Sequence, residues 1–168
     1  MKYFYDIIDD VNIGMILIIE DEDKNVVQCS IHRHDGMPDF KHYINEFNAE
    51  LSMSSYLNEF KRYISNPMNV RFIDVPTRYA WPVTILQKEV FREISNLYPG
   101  QTITYGELAE RVGRPNAWRA VATACGNNPF ALIVPCHRTV PASGKVGGFA
   151  WGENVKRILQ QREGIYLK

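Results

Sequence analysis

The sequence of 168 residues has few cysteines, no long apolar run and no net charge. Three cysteines are too few, and odd in number, for a disulfide scaffold, so a reducing compartment is favoured. The longest apolar run, residues 13–19, has the length of a strand and is too short to cross a bilayer. The first residues show no signal-peptide pattern. These absences predict a cytoplasmic protein, or a nuclear one in a eukaryote, with no membrane association.

Acidic residues are missing from one part of the chain. Residues 1–80 hold thirteen acidic and eight basic residues, whereas residues 81–168 hold six acidic and eleven basic ones. No Asp or Glu occurs between Glu110 and Glu153, and the basic residues there are Arg111, Arg114, Arg119, Arg138 and Lys145. A basic stretch of this kind is typical of a surface that binds a polyanion, and an ordinary solvated face is the alternative.

The residues that are present suffice for a folded core, because 45% of them are hydrophobic. In the first half, residues 14–19 and 26–31 are apolar and flank a polar turn, a pattern typical of a β-hairpin. Apolar residues at helical spacing in 52–65 predict an amphipathic helix, and residues 69–75 predict a further strand. We therefore expect an α/β (α+β) fold with a small antiparallel sheet here.

A proline-containing segment, residues 75–82, coincides with the change of charge sign. Prolines restrict the backbone and commonly mark linkers. The sequence therefore predicts an N-terminal α/β domain over residues 1–78 and a C-terminal domain over 79–168.

The second half has the pattern of a mainly helical domain. Residues 84–97 carry one apolar stripe, and Thr104 opens a short helix that stops at Gly113. A second short helix is predicted over residues 117–125, with Asn116 as its N-cap. Two short helices joined by a Gly/Pro turn predict a helix-turn-helix.

The second short helix has one face of small residues beside Arg119, which suits close approach to a partner but equally suits packing on a core. Trp118 precedes that arginine and could stack on a base, although core burial is the favoured interpretation for a helical tryptophan. Cys125 on this helix is expected to be structural.

After this helix, a thiol lies beside an imidazole in the sequence. Residues 131–134 predict an apolar strand that ends at Pro135, with Cys136 and His137 at its tip. Adjacent strand residues point to opposite faces, so the two side chains cooperate only if the backbone turns there. A thiol next to a base and an arginine can become a reactive thiolate, and a buried, inert Cys–His pair is the alternative.

A weaker cluster lies in the first half, where Cys29, His32 and His34 are closely spaced and His42 follows. Such ligands suit zinc, but the spacing matches no standard zinc motif and a strand would splay the side chains.

The motifs of the second half resemble, in order, those of the methylated-DNA–protein-cysteine methyltransferases, also called O6-alkylguanine-DNA alkyltransferases. They are Arg119-Ala-Val, Gly-Asn-Asn-Pro, Pro135-Cys-His-Arg138 and Ser143-Gly-Lys-Val-Gly-Gly-Phe, and the resemblance covers about residues 82–166. It implies direct repair of O6-alkylguanine, with O4-alkylthymine left open, by irreversible and stoichiometric alkyl transfer to Cys136. It also implies a monomer that binds double-stranded DNA through the minor groove and needs no metal or organic cofactor.

The resemblance implies a role for individual residues as well. Cys136 is the nucleophile, His137 its base through a bound water, and Glu163 orients the imidazole. Tyr105 rotates the target nucleotide out of the duplex and donates to guanine N3, and Arg119 fills the vacated space.

The remaining implied residues contact DNA or the extruded base. The DNA contacts also include Gly106, Arg114 and Arg138. Asn128 braces the turn of the reactive cysteine, and the pocket wall comprises Val146, Gly147, Phe149, Ala150 and Trp151. The bulk of Trp151 predicts a narrow pocket that favours small alkyl groups.

Two other functions are compatible with parts of the pattern. A non-catalytic lesion-binding protein, like the alkyltransferase-like proteins, would share the DNA-binding motifs but lack the cysteine. A helix-turn-helix transcription regulator would leave the Pro-Cys-His-Arg motif unexplained.

Overall fold

A computed structural model describes residues 1–35 and 39–167 of the chain. Its main sheet has four strands in the order β3-β2-β1-β4. The strands are β1 (Tyr3–Asp10), β2 (Gly14–Asp21), β3 (Val26–His32) and β4 (Glu50–Leu51). The first three are antiparallel neighbours, so the predicted hairpin of β2 and β3 is confirmed, and β4 runs parallel to β1.

The central strand β2 is apolar on both faces because both faces are covered. Ile16 and Ile18 point into the larger core cluster, whereas Leu17 and Ile19 point into a smaller one on the opposite face. The smaller cluster includes Phe47 of helix α1 (Phe40–Phe47), which packs on the outer face of the sheet.

The free edge of β3 is bonded to two segments from outside the sheet. The Val26 N–H donates to the Pro76 carbonyl, and the Cys29 N–H donates to the Pro129 carbonyl, both at 2.8 Å. The chain therefore crosses this edge twice. The strand predicted over residues 69–75 is wrong, because that segment follows a short 3₁₀ turn (Pro67–Asn69) and runs toward this crossing without a strand partner.

Helix α2 (Leu57–Ser65) lies within the predicted helical segment and buries Phe60 and Tyr63. Helix α3 (Ile85–Ser95) begins at a capping box in which the Thr84 hydroxyl and the Gln87 side chain each accept from the other's backbone N–H. The helix predicted over residues 84–97 is thus confirmed.

The rest of the fold builds the surroundings of Cys136. Its elements in chain order are β5 (Ile103–Thr104), α4 (Tyr105–Arg111), α5 (Trp118–Gly126), β6 (Thr139–Val140) and α6 (Glu153–Arg162). The Thr104 hydroxyl caps α4, as expected. The N-cap of α5 is Ala117, without a side-chain hydrogen bond, so the expected capping by Asn116 is wrong.

The apolar segment before Cys136 is a turn, so the strand predicted over residues 131–134 is wrong. The Ala131 N–H bonds to the Cys29 carbonyl, the Ile133 N–H bonds back to the Ala131 carbonyl, and Leu132 has a φ of 69°. Residues 136–138 then form a 3₁₀ turn. The backbone therefore turns at Cys136 and His137, and the alternating geometry of a strand does not apply to them.

One core joins the two halves of the chain, since Ile16 and Phe60 belong to the same buried cluster as Val90 and Leu108. In residues 1–35 and 39–167, no helix combines the length and the apolar character that a membrane span requires.

Candidate active site

A cavity of about 430 Å³ opens between the helices α4 and α5 and the loop after β6. This volume lies in the range of small-molecule sites. Its lining residues are Tyr105, Ala122, Cys125, Gly126, Cys136, Thr139, Gly148, Phe149 and Ala150. Three predicted site residues, Tyr105, Phe149 and Ala150, therefore share this cavity with Cys136.

The Cys136 side chain is held from behind by an asparagine. The Asn128 side-chain amide donates to Cys136 Sγ at 3.2 Å and to the Val134 carbonyl at 2.9 Å. Its oxygen accepts from the Phe130 N–H at 2.9 Å. Asn128 thus bonds three residues of this turn, and it is not among the residues that line the cavity.

The Cys136 thiol is only 3% exposed, and burial raises its pKa to about 11. The hydrogen bond from Asn128 and the positive charge of Lys156 partly oppose this effect. The thiol is therefore protonated at neutral pH, and a base must remove its proton before sulfur can act as a nucleophile.

A buried imidazole–carboxylate pair lies next to the thiol in the chain. His137 Nε2 is 2.7 Å from Glu163 Oε2, and both side chains are buried. The ionised carboxylate accepts, which assigns the proton to Nε2 and leaves the lone pair on Nδ1. Nδ1 is buried without a hydrogen-bond partner in the described part of the chain. The ring is thus oriented as a base.

The charge state of this pair is set by its neighbours. Burial raises the pKa of Glu163, but pairing with His137 and Arg138 outweighs burial and keeps the pKa well below its usual value. Burial lowers the pKa of His137, and the positive charges of Arg138 and Lys156 lower it as well. The negative charge of Glu163 raises it, but the pKa stays below its usual value. A neutral imidazole beside an ionised carboxylate results.

Arg138 is part of this buried network, so its predicted contact with DNA is wrong. Its guanidinium donates to both oxygens of Glu163, at 2.7 and 2.9 Å, and to the Leu97 carbonyl at 2.8 Å. Only 3% of the residue is exposed. The sequence could not distinguish this arginine from the exposed ones, since its partner lies 25 residues away.

Lys156 is a site residue that the sequence analysis missed. It is fully buried in α6, its Nζ donates to the Gly148 carbonyl at 3.0 Å, and burial lowers its pKa to about 8. The signal was its position between Val155 and Leu159, which places a lysine on the apolar face of an amphipathic helix.

We expect Lys156→Met to raise the pKa of Cys136, because the mutation removes a nearby positive charge that favours the thiolate. The thiolate fraction at neutral pH should fall by about tenfold, and the acidic limb of thiol reactivity should move to higher pH. The rate of Cys136 modification by a small thiol reagent across pH measures this.

Lys156→Arg keeps the charge and is the matched control for that measurement. The lysine contribution should weaken above pH 8, where Lys156 itself loses its proton. Identical reactivity profiles for the methionine and arginine variants would contradict the assigned effect.

The loop after β6 contributes fewer pocket residues than expected. Val146 is fully buried, and Gly147 has a φ of +83° with a Cβ position 2.7 Å from Pro141 Cδ, so both shape the loop instead of lining the cavity. Trp151 is buried on the far side, where its ring meets Phe149 edge-on and borders a separate groove beside Ile13. The predicted narrowing of the pocket by Trp151 therefore has no basis.

An exposed basic face adjoins the cavity. Arg114, Arg119 and Gly106 are exposed, as DNA contacts require. Trp118 is 48% exposed, so the favoured interpretation of core burial is wrong. The residue begins α5, beyond the turns that pack on the core, and the Arg119 Cζ lies 5.1 Å from its ring centroid.

The Trp118 ring forms one wall of an apolar groove of about 330 Å³, whose other lining residues are Tyr105, Gly106, Pro141 and Ala142. Tyr105 borders both this groove and the cavity of Cys136, so the two lie on either side of one side chain or next to each other along it.

The candidate metal ligands of the first half are not brought together. Cys29 is completely buried in β3, His32 lies 2.7 Å from the Ser30 hydroxyl, and His34 pairs with Asp9 at 2.6 Å. Within residues 1–35 and 39–167, no three His, Cys, Asp or Glu side chains are placed to hold a metal ion.

Comparison with known proteins matches this sequence to a class of DNA-binding proteins. Residues 85–165 match the model of the 6-O-methylguanine DNA methyltransferase, DNA binding domain. A methylated-DNA–protein-cysteine methyltransferase of Methanosarcina mazei is 40% identical over 116 residues, which cover 66% of this chain and 72% of that protein.

Solved structures extend the similarity to nearly the whole chain. An O6-methylguanine methyltransferase of Mycobacterium tuberculosis superposes with a TM-score of 0.78 at 29% identity, covering 96% of this chain and 92% of that one. The M. tuberculosis OGT in complex with DNA gives a TM-score of 0.75 at 28% identity, covering 97% and 92%. The chain belongs to the methylated-DNA–protein-cysteine methyltransferase family.

Proposed function

We propose that this protein repairs O6-alkylguanine in double-stranded DNA by irreversible transfer of the alkyl group to Cys136. The observation that carries this proposal is the placement of the thiol at the wall of a cavity, with the next residue, His137, forming a buried imidazole–carboxylate pair. Because the S-alkyl bond is stable, each molecule acts once.

The proposed step balances with groups of the chain, water and guanine alone. The thiol proton passes through a water to His137 Nδ1, and the Nε2–H···Glu163 bond stabilises the resulting imidazolium. Sulfur attacks the alkyl carbon, the carbon–O6 bond breaks, and its electron pair stays on guanine. Hydrogen bonding from the Tyr105 hydroxyl to guanine N3 offsets the charge on this leaving group. The guanine anion takes up a proton from water, and the His137 imidazolium returns its proton to water, so that charge and protons balance.

The buried position of the thiol requires that the nucleotide leave the base stack. A guanine inside a duplex cannot reach a sulfur that is 3% exposed, and extrusion costs a few kcal/mol of unstacking. In the proposed complex Arg119 occupies the vacated space, because a long planar cation can stack between bases. Phe149 and Ala150 then border the extruded guanine.

The basic face around α5 is the proposed DNA interface. We assign α4 and α5 to a helix-turn-helix whose second helix enters the minor groove, with Arg114 and the backbone of Gly106 near phosphates. The exposed Trp118 ring lies at this surface. The proposed organisation is a monomer with an N-terminal domain over 1–78 and a catalytic domain over 79–168.

Mass spectrometry of the protein after incubation with an O6-methylguanine duplex tests the proposal. We expect one added methyl group per molecule, located on the Cys136 peptide, and an equal amount of repaired guanine in the DNA. The Cys125 and Cys29 peptides serve as internal controls and should stay unmodified. Recovery of unaltered protein with intact lesions, or a methyl group on either control peptide, would refute the assignment.

A further inference from the structure

The first 78 residues contact the His137–Glu163 pair through Tyr63 of α2. The Tyr63 hydroxyl donates to Glu163 Oε2 at 2.5 Å and lies 3.2 Å from His137 Nε2. All three side chains are buried, so water does not compete for these hydrogen bonds.

A second contact fixes Arg162, the residue of α6 that precedes Glu163. The Arg162 guanidinium bonds both oxygens of Asp10 at the end of β1, at 2.8 and 2.9 Å. It also donates to the Ile64 carbonyl at 3.3 Å, one residue after Tyr63. The end of α6, which carries Glu163, is therefore held at two successive residues by β1 and α2.

The donors around Glu163 define the carboxylate position completely. Oε1 accepts from Arg138 Nε at 2.7 Å and from the Gly100 N–H at 3.2 Å. Oε2 accepts from His137, from Arg138 Nη2 and from Tyr63. Burial raises the pKa of Tyr63 well above its usual value, so its hydroxyl stays protonated and always donates.

We infer that Tyr63 is a positioning residue for the base of alkyl transfer, and that Asp10 supports it by holding Arg162. The inference rests on the proposed function of Cys136 and His137. Tyr63 does not line the substrate cavity and acts only through Glu163 and His137. In this view, the contribution of residues 1–78 to catalysis is to hold the carboxylate that orients the imidazole.

Loss of the Tyr63 hydroxyl has a defined electrostatic consequence. The hydroxyl dipole reduces the field of Glu163 at the imidazole, and the other charged groups near His137 are Arg138 and Lys156. Without the hydroxyl, Glu163 stabilises the imidazolium more strongly, so the pKa of His137 rises. The acidic limb of the transfer rate should then move to higher pH.

Single-turnover alkyl transfer by Tyr63→Phe, measured against pH, tests the inference. We expect transfer at neutral pH to slow by about tenfold, in line with one lost hydrogen bond to a charged group. The acidic limb should shift upward, while the affinity for lesion-containing duplex should equal that of the wild type. A merely structural role would not move the pH profile.

Tyr56→Phe is the matched control. The Tyr56 hydroxyl also donates one hydrogen bond, to the Lys24 carbonyl at 2.6 Å, but this bond is exposed and Tyr56 is the N-cap of α2. Asp10→Asn is the second variant. It removes the charge opposite Arg162 and so loosens the contact of Tyr63 with Glu163. We therefore expect a smaller slowing with the same direction of pH shift. The test thus holds even if Tyr63→Phe folds poorly.

The outcomes separate the inference from the proposed function. Absence of alkyl transfer by the wild type would refute the proposed function. Transfer by the wild type, with rates and pH profiles of Tyr63→Phe and Asp10→Asn equal to those of Tyr56→Phe, would overturn the inference alone.

Discussion

Cys136→Ala is expected to abolish alkyl transfer completely while leaving the binding of lesion-containing duplex intact. Among residues 1–35 and 39–167, the substitution removes the only sulfur that combines a place at the cavity wall with a histidine as the next residue. Cys125 also lines the cavity, but burial raises its pKa to about 12 and the sequence places no histidine beside it. It should not substitute as the nucleophile.

The loss is best measured as single-turnover removal of the lesion, with duplex affinity determined on the same preparation. Cys125→Ala is the matched control and should keep transfer, because its thiol has no role in the proposed step. Lesion removal by the Cys136 variant would sink the assignment of the nucleophile. A wild type that binds lesions but leaves them unrepaired would instead define a non-catalytic lesion binder.

Arg119→Ala should slow transfer from duplex DNA by about a hundredfold but leave transfer from free O6-alkylguanine base unchanged. Only the duplex requires extrusion, which costs a few kcal/mol of unstacking. Arg119 offsets part of this cost by filling the gap, and the alanine variant loses that compensation. Free base enters the cavity without that cost. The two substrates therefore separate a role in extrusion from a role in chemistry.

Arg119→Lys is the control for charge in this experiment. Lysine keeps the attraction for phosphates but lacks the planar guanidinium that stacks between bases, so an intermediate rate on duplex is expected. Equal slowing of the alanine variant on duplex and on free base would remove the proposed role in extrusion.

Local sequence signals predicted the elements whose stability is mainly local. The hairpin of β2 and β3, the helix in 52–65 and the capped helix α3 follow from periodicity and capping residues. Strand β1 could not be predicted because its acidic residues interrupt the apolar pattern. The turn at 131–134 resembles a strand in composition, but its hydrogen bonds to β3, to Asn128 and within the turn itself bend it.

Within the candidate site, the motifs identified the nucleophile and its immediate neighbours but not the burial of charged residues. Arg138 is buried against Glu163, 25 residues away, and Lys156 donates to the Gly148 carbonyl, eight residues away, so neither partner is evident from the local pattern. Trp118 was expected in the core but is exposed, and Trp151 was expected at the pocket wall but is buried elsewhere. Residue type alone does not reveal which side of the surrounding backbone faces the core.

The high pKa of Cys136 has a consequence for a reagent that is consumed in one use. A thiol that stays protonated and covered reacts slowly with the oxidants and electrophiles that circulate in a cell. Burial, which outweighs the opposing hydrogen bond from Asn128, thus preserves the sulfur during the interval before a damaged base arrives. The number of alkylated protein molecules would then follow the number of lesions, and the unreacted molecules would keep their ability to accept an alkyl group.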